Sequence, residues 1–282
     1  MDITIIIITY KSEKIIYDFI NKIPSNLKTI IIENSQNNDL KKNIEKNYKN
    51  INVHLKENNG ISASLNFSVE NVKTKYFLQI SPDIDFNFSD LNLFIDFANK
   101  KNDNFAALGP RFLEVKEKSH KQISKNLEFG EIESIHGSFM FINKKNFLKM
   151  KGFDENFFLY FEETDYCKRC KKENLKAYQL NNVLIKQKGR SVFLKSENEK
   201  EKLEKLLTWH FIWSKYYFYN KYYGNLFSII YFQPILIRSL IKIIYFYFKK
   251  NKRKFEKYKY RTNGLITSII KKNSYLRINK IL

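Results

Sequence analysis

The chain has 282 residues, enough for one large domain or one domain with an appendage, and its 50 Lys+Arg against 29 Asp+Glu give a formal charge of +21. The imbalance is local: residues 1–185 carry 27 basic and 24 acidic side chains, a net of +3, whereas residues 186–282 carry 23 and 5, a net of +18. Compositional bias accounts for some of the lysine, but a uniform bias would not empty the last third of acids, so a negatively charged partner is expected there.

Apolar runs of strand length alternate with helical patterns along the first half. Residues 3–9, 29–33, 52–56 and 75–80 read as buried strands, and 12–22, 38–48 and 61–72 as helices between them. This alternation is the signal of a doubly wound α/β sheet. Such sheets bind ligands beyond the C-terminal ends of their strands. Those ends read Thr9-Tyr10, Glu33-Asn34-Ser35, Asn58-Asn59-Gly60 and Ser81-Pro82-Asp83-Ile84-Asp85. Taken singly, each is also ordinary turn chemistry. No Gly-x-Gly-x-x-Gly follows the first run, which argues against a dinucleotide site. The run Ile3 to Ile8 is too short for a signal peptide and lacks a basic region before it, so a cytoplasmic location is expected. Cys167 and Cys170 have no second Cys/His pair at zinc spacing and read as reduced thiols.

Further along, Gly152-Phe153-Asp154-Glu155-Asn156-Phe157-Phe158-Leu159-Tyr160-Phe161 runs directly into Glu162-Glu163-Thr164-Asp165. A helix starting near Glu162 puts Glu162, Asp165 and Arg169 on one face, with Glu163 about 100° away from Glu162. Acids suit the positive end of a helix, so a solvated, well-capped start is one reading. The aromatic approach supports another, in which a carboxylate in apolar surroundings acts as a base.

The acidic cluster and its flanks resemble the Gly-Phe-Asp-Glu, Phe-Phe and Glu-Asp-x-Asp signature of family 2 glycosyltransferases, in particular the rhamnosyltransferase-like branch. That resemblance implies a GT-A-type doubly wound mixed sheet flanked by helices, over residues 1–223. It implies inverting transfer from a nucleotide-diphosphate sugar to a hydroxyl of a glycan or lipid-linked glycan, in cell-surface polysaccharide synthesis. Glu163 maps onto the general base, with Glu162 and Asp165 beside it. Here Glu163 stands where Asp is usual, and one added methylene moves the carboxylate by a distance that matters in catalysis. Thr9, Tyr10, Glu33, Asn59, Gly60, Asn66 and Ser81 map onto the nucleotide site. Asp83 ends a variant of the Asp-x-Asp motif and is expected to hold Mg²⁺ or Mn²⁺, ahead of Asp85. A cation there neutralises the leaving diphosphate, and oxygen ligands favour these hard ions. Gly137 to Lys145, preceded by His136, is similar to the strand that leads to the acceptor side. The family's His-x-x-Gly-x-Ser segment is matched by Lys186-Gln187-Lys188-Gly189-Arg190-Ser191, with lysine for histidine. An ammonium does not ligate a metal but does pair with phosphate, so Lys186, Lys188 or Arg190 is expected to stabilise the leaving group.

Residues 197–223 read as an aromatic-rich helix ending near Gly224, and residues 224–282 as a basic amphipathic extension. The stretch 225–248 is long enough to span a bilayer, but Gln233, Pro234, Arg238 and Lys242 interrupt it. Charge at membrane depth is costly, so lying in the interface on the inner face of an anionic membrane is preferred. Lys249, Lys250, Lys252, Arg253 and Lys254 follow, each worth about 1 kcal/mol near an anionic leaflet. An intramolecular packing helix is the plainer alternative. Two rival functions remain: a degenerate nucleotide-binding membrane scaffold, and a nucleic-acid binder using the aromatic, basic tail. The second leaves the strand-end carboxylates unexplained, since they repel phosphate.

Overall fold

The computed structural model describes residues 1–113, 122–189, 191–192, 194, 196–278 and 281. The chain forms two compact units, Met1–Asp154 with Glu162–Phe193, and Glu155–Phe161 with Leu194–Leu282.

The first unit opens with the expected alternation: β1 (Ile3–Thr9), α1 (Glu13–Ile20), β2 (Lys28–Glu33), α2 (Asn38–Asn47), β3 (Ile51–Leu55), α3 (Ile61–Glu70) and β4 (Tyr76–Ile80). There follow β5 (Ile84–Asp85), α4 (Leu91–Lys100), β6 (Leu108–Phe112), β7 (Phe129–Ile132), β8 (Phe139–Asn143), α5 (Lys144–Lys149), α6 (Glu162–Lys172) and β9 (Ala177–Gln187). The strands make one sheet in the order β3-β2-β1-β4-β8-β6-β9-β5, with β7 also on β9. Parallel pairing holds from β3 to β4, while β8 runs antiparallel to both β4 and β6. The sheet is therefore mixed, as expected.

Isoleucine runs make β1 and β2 because β-branched side chains pack well on a pleated surface buried on both sides. Their alternation sorts them: Ile5 and Ile7 join Phe19, Leu78 and Phe94 on one face, and Ile6 joins Leu65, Phe77 and Tyr166 on the other. Cys167 and Cys170 belong to this second face as buried free thiols, and burial pushes the Cys170 thiol up to about 11. The register Thr9↔Glu33 and Glu33↔Leu55 brings the ends of β1, β2 and β3 level. That edge carries the polar residues singled out above.

The second unit is helical, with α7 (Glu197–Tyr223), α8 (Asn225–Phe248) and α9 (Lys252–Ile269). Ser196 and Glu199 form a reciprocal capping box at the start of α7. Gly224, at φ +83°, separates α7 from α8 in a conformation that L side chains rarely adopt. The compact units divide near Leu194 and not at Gly224, because α7 shares its apolar side with the two helices after it. Ile212 and Tyr216 of α7 pack with Phe232 of α8 and Leu265 of α9, and the Trp209 indole donates to Asn263 Oδ1 at 2.7 Å. Gly264 permits this approach, since a Cβ there would lie 2.7 Å from the Trp209 carbonyl oxygen.

Candidate active site

At the strand ends the sequence places polar side chains, and the fold removes several of them from water. Glu33 is fully buried. Its carboxylate accepts from Thr9 Oγ1 at 2.6 Å, from the Ser35 amide at 2.6 Å and from the Ser35 hydroxyl. The next residue, Asn34, is bonded to Ser64 Oγ of α3 at 2.9 Å. Thr9 and Glu33, expected at the nucleotide, are thus joined to each other and to the Ser35 turn. Tyr10 is half-buried and Asn59 exposed. Gly60, the residue before α3, adopts φ +99°, which glycine alone meets without strain.

The turn after β4 separates two acids that lie two residues apart. Asp83 is buried, with Oδ2 accepting from Gln187 Nε2 at 2.8 Å and Oδ1 lacking a hydrogen-bond partner among the described residues. Burial raises its pKa, opposed by the Gln187 bond and by its own backbone N–H. Asp85 is 45 % exposed and forms ion pairs with Lys22 at 2.7 Å and Lys188 at 3.1 Å, which hold its pKa below the usual carboxylate range. The antiparallel pairing of β5 with β9 causes this split: Ile84 stands opposite Gln187 and Asp85 opposite Lys186. Gln187, which the sequence reading passed over, reaches Asp83, while Lys186 is exposed. Arg190 lies outside the described residues.

A second acidic group heads α6, where Glu162, Glu163 and Asp165 are all buried. Asp165 faces Arg169, one turn on, at 2.8 Å. Arg169 also donates to the Gly152 carbonyl at 2.6 Å and to that of Met150. Asn66 completes the clamp, giving Nδ2–H to the Phe153 carbonyl and taking the Phe153 amide on Oδ1, both at 2.9 Å. Asn66, expected at the nucleotide, and Asp165, expected among the catalytic acids and acting here through Arg169, both meet the Gly152-Phe153 turn. Gly152 has φ +64°, and a Cβ there would lie 2.5 Å from Asn66 Oδ1. Glu163 Oε1 accepts from Thr164 Oγ1 at 3.1 Å.

The loop before β8 connects the two acidic groups. Ser138 O accepts the Ser81 amide at 2.9 Å. A Cβ on Gly137 would sit 3.7 Å from Glu162 Oε1 and 3.9 Å from Glu163 Cδ. The Ser81-Pro82-Asp83 turn and the head of α6 thus share one loop. His136 within it bonds Ser138 Oγ at 2.8 Å and packs on Phe112. Among the described residues no three His, Cys, Asp or Glu gather as a metal cage. The unsatisfied buried oxygen of Asp83 fits a hard cation bound by one carboxylate, with substrate oxygens and water as its other ligands.

A mixed sheet with acids at its strand ends and a buried acidic helix start is the frame of a GT-A-type fold. The profile of Glycosyl transferase family 2 matches residues 4–171, and the chain belongs to that family. It is 23 % identical over 199 residues to the low-salt glycan biosynthesis hexosyltransferase Agl10 of Haloferax volcanii, covering 63 % of this chain and 64 % of that protein. It is 26 % identical over 202 residues to the rhamnosyltransferase WbbL of Escherichia coli K12, covering 58 % and 75 %. The chain thus matches just under two thirds of the first relative's length. Among solved structures, the mannosyltransferase PcManGT of Pyrobaculum calidifontis, in complex with GDP-Man and Mn²⁺, aligns with a TM-score of 0.59 at 10 % identity. That alignment covers 95 % of this chain and 87 % of the other, and it establishes the fold.

Proposed function

We propose that the protein is an inverting glycosyltransferase that moves a sugar from a nucleotide-diphosphate donor to a hydroxyl of a glycan or lipid-linked glycan. The observation that carries this reading is Asp83, buried with one oxygen unsatisfied, on a turn joined through Ser138 to the loop beside Glu163. Tyr10, Asn59, Gly60 and Ser81 line the nucleotide, over the brace made by Thr9, Glu33 and Asn66. Asp83, held by Gln187, would hold Mg²⁺ or Mn²⁺, which would supply positive charge to the departing diphosphate. Lys186 pairs with a phosphate oxygen, whereas Lys188 is already matched to Asp85.

Glu163 takes the proton from the acceptor hydroxyl as that oxygen forms its bond to the anomeric carbon. The bond from that carbon to the diphosphate breaks on the opposite face, and the nucleoside diphosphate departs. One displacement inverts the configuration. Asp165 and Arg169 position the head of α6 and take no part in bond making.

Residues 224–282 hold the enzyme on the inner face of an anionic membrane, as a peripheral protein of cell-surface polysaccharide synthesis. Among the described residues, α8 alone is long and apolar enough to cross a bilayer. It packs lengthwise on α9, whose first turns carry Lys252, Arg253, Lys254, Glu256, Lys257 and Lys259. Crossing would take those charges toward the hydrocarbon, so α8 lies in the interface.

The test is transfer from a panel of nucleotide sugars to a saccharide acceptor, with the anomeric configuration of the product read by NMR. Inversion is expected. Retention would overturn the single displacement, and no turnover with any donor would favour the scaffold reading.

A further inference from the structure

Beyond α9, residues 272–277 form neither helix nor strand, yet they are tied down at Lys272, Ser274 and Leu276. The Lys272 carbonyl accepts the Trp213 indole N–H at 3.0 Å, the Ser274 hydroxyl donates to the Asn156 carbonyl at 2.9 Å, and the Leu276 carbonyl accepts from His210 Nε2 at 2.9 Å. Arg277 is half-buried, with its guanidinium 4.0 Å from the centre of the Phe158 ring, and that ring stacks on His210 at 4.4 Å. Its Nη1 donates to the Ser274 and Leu276 carbonyls at 2.7 and 2.9 Å, so the same cation fixes the path of the segment that carries it.

This segment grips the loop Glu155–Phe161, which belongs to the same compact unit and runs through a single peptide bond into Glu162. Helix α7 holds the loop as well: Ser214 Oγ donates to the Leu159 carbonyl at 2.8 Å, and Phe161 packs on Phe218 at 5.4 Å. The last two residues of the loop, Tyr160 and Phe161, have φ of +69° and +71°. Left-handed backbone is disfavoured for L side chains, and two such residues in succession persist only where the contacts around them over-determine the conformation. Their φ values set the direction in which the chain enters α6, and so the place of Glu163 in its first turn. We infer that residues 272–277 are a positioning strap for the proposed base, with Arg277 on Phe158 and Ser274 on Asn156 as its grips. The inference rests on the reading of Glu163 as that base. It gives the end of the chain a part in turnover separate from adhesion to a membrane. With the strap loosened, the loop relaxes, Glu163 shifts and proton removal from the acceptor slows, while the donor site at the strand ends keeps its affinity.

The experiment is a double-substitution cycle in the full chain, using the nucleotide sugar and saccharide acceptor that turn over in the panel above. The kcat, the donor KM and the nucleotide affinity are measured for Arg277→Ala, for Glu163→Gln and for the two combined. Arg277→Ala should lower kcat roughly 10²-fold, the effect of a displacement near 1 Å, with donor KM and nucleotide affinity unchanged. In the Glu163→Gln background it should have little further effect, because a base that is absent cannot be misplaced. Arg277→Lys keeps the charge and should recover part of the rate. Rates are taken per folded molecule by circular dichroism. If Arg277→Ala does not fold, Ser274→Ala takes its place in the cycle, since it removes one bond to the loop and leaves the ring contacts intact. A loss that multiplies with that of Glu163→Gln, or one that falls on KM and nucleotide affinity, would overturn the strap and leave the base in place. Full activity of the Arg277→Ala and Ser274→Ala proteins would do the same. Full transfer by Glu163→Gln, or no turnover by the wild type, would overturn base and strap together.

Discussion

At the strand ends and α6 head of the first unit, Glu33, Asp83, Glu162, Glu163 and Asp165 are withdrawn from water, whereas along α8 of the second unit a dozen large apolar side chains are left in it. Both arrangements reverse the ordinary partition of residues, and both are costly. The difference lies in compensation. In the first unit, Glu33 and Asp165 are fully engaged by Thr9, Ser35 and Arg169, so their burial is explained by architecture. Asp83 keeps an oxygen that is unsatisfied among the described residues. On α8 only some of the exposed apolar side chains are matched within the unit, Tyr231 stacking on Tyr219 and Phe227 packing on Tyr223, while Arg238 has no ion pair or hydrogen bond among the described residues. Burial or exposure alone is thus a poor guide to function, and the residual unpaired group is the better one.

Substitutions that separate chemistry from architecture sharpen this contrast. Glu163→Gln should lower the transfer rate by roughly 10²–10⁴-fold while donor affinity is unchanged, as measured by initial rates and nucleotide titration. Asp165→Asn should act the other way. It leaves Arg169 without its buried partner and should cost about 3 kcal/mol in chemical denaturation, with any activity loss following the fraction unfolded.

In the second unit, His210 donates Nε2–H to the Leu276 carbonyl at 2.9 Å and stacks on Phe158, and burial lowers its pKa to about 3. The folded chain therefore binds the proton less readily than the unfolded one. Stability from this residue is complete above about pH 6.5 and is lost as pH falls, by about 2 kcal/mol at pH 5. Denaturation midpoints of the wild type and His210→Phe should differ in their pH slope over that window. The smallest effect is expected at Asp85. Its ion pairs are exposed, so Asp85→Asn should change stability by under about 1 kcal/mol and leave metal-dependent nucleotide binding intact.

Much of the first unit is legible in the chain because isoleucine runs and turn residues declare β1 to β4 and the helices between them. The start of α6 at Glu162 is likewise readable from acids placed before a helical pattern. Three features were not. The two-residue β5 carries no periodicity, so nothing announced that it would pair with β9 and bring Gln187 to Asp83. Asn66 is read from the sequence as a helical residue beside the nucleotide, and nothing in its neighbourhood announces the bonds it makes to a backbone peptide 87 residues away. Residues 197–223 are aromatic on several sides, which conceals that α7 belongs with α8 and α9. Each omission is a long-range contact that local pattern does not encode.

The most direct test of the account is calorimetric titration of UDP, TDP, GDP and CDP into the protein, with and without Mn²⁺, for the wild type and Asp83→Asn. One of these nucleotides should bind the wild type in a Mn²⁺-dependent manner, and Asp83→Asn should bind without any gain from the metal. Undiminished Mn²⁺ dependence in Asp83→Asn would contradict the assignment of Asp83, and with it the donor site built around that carboxylate.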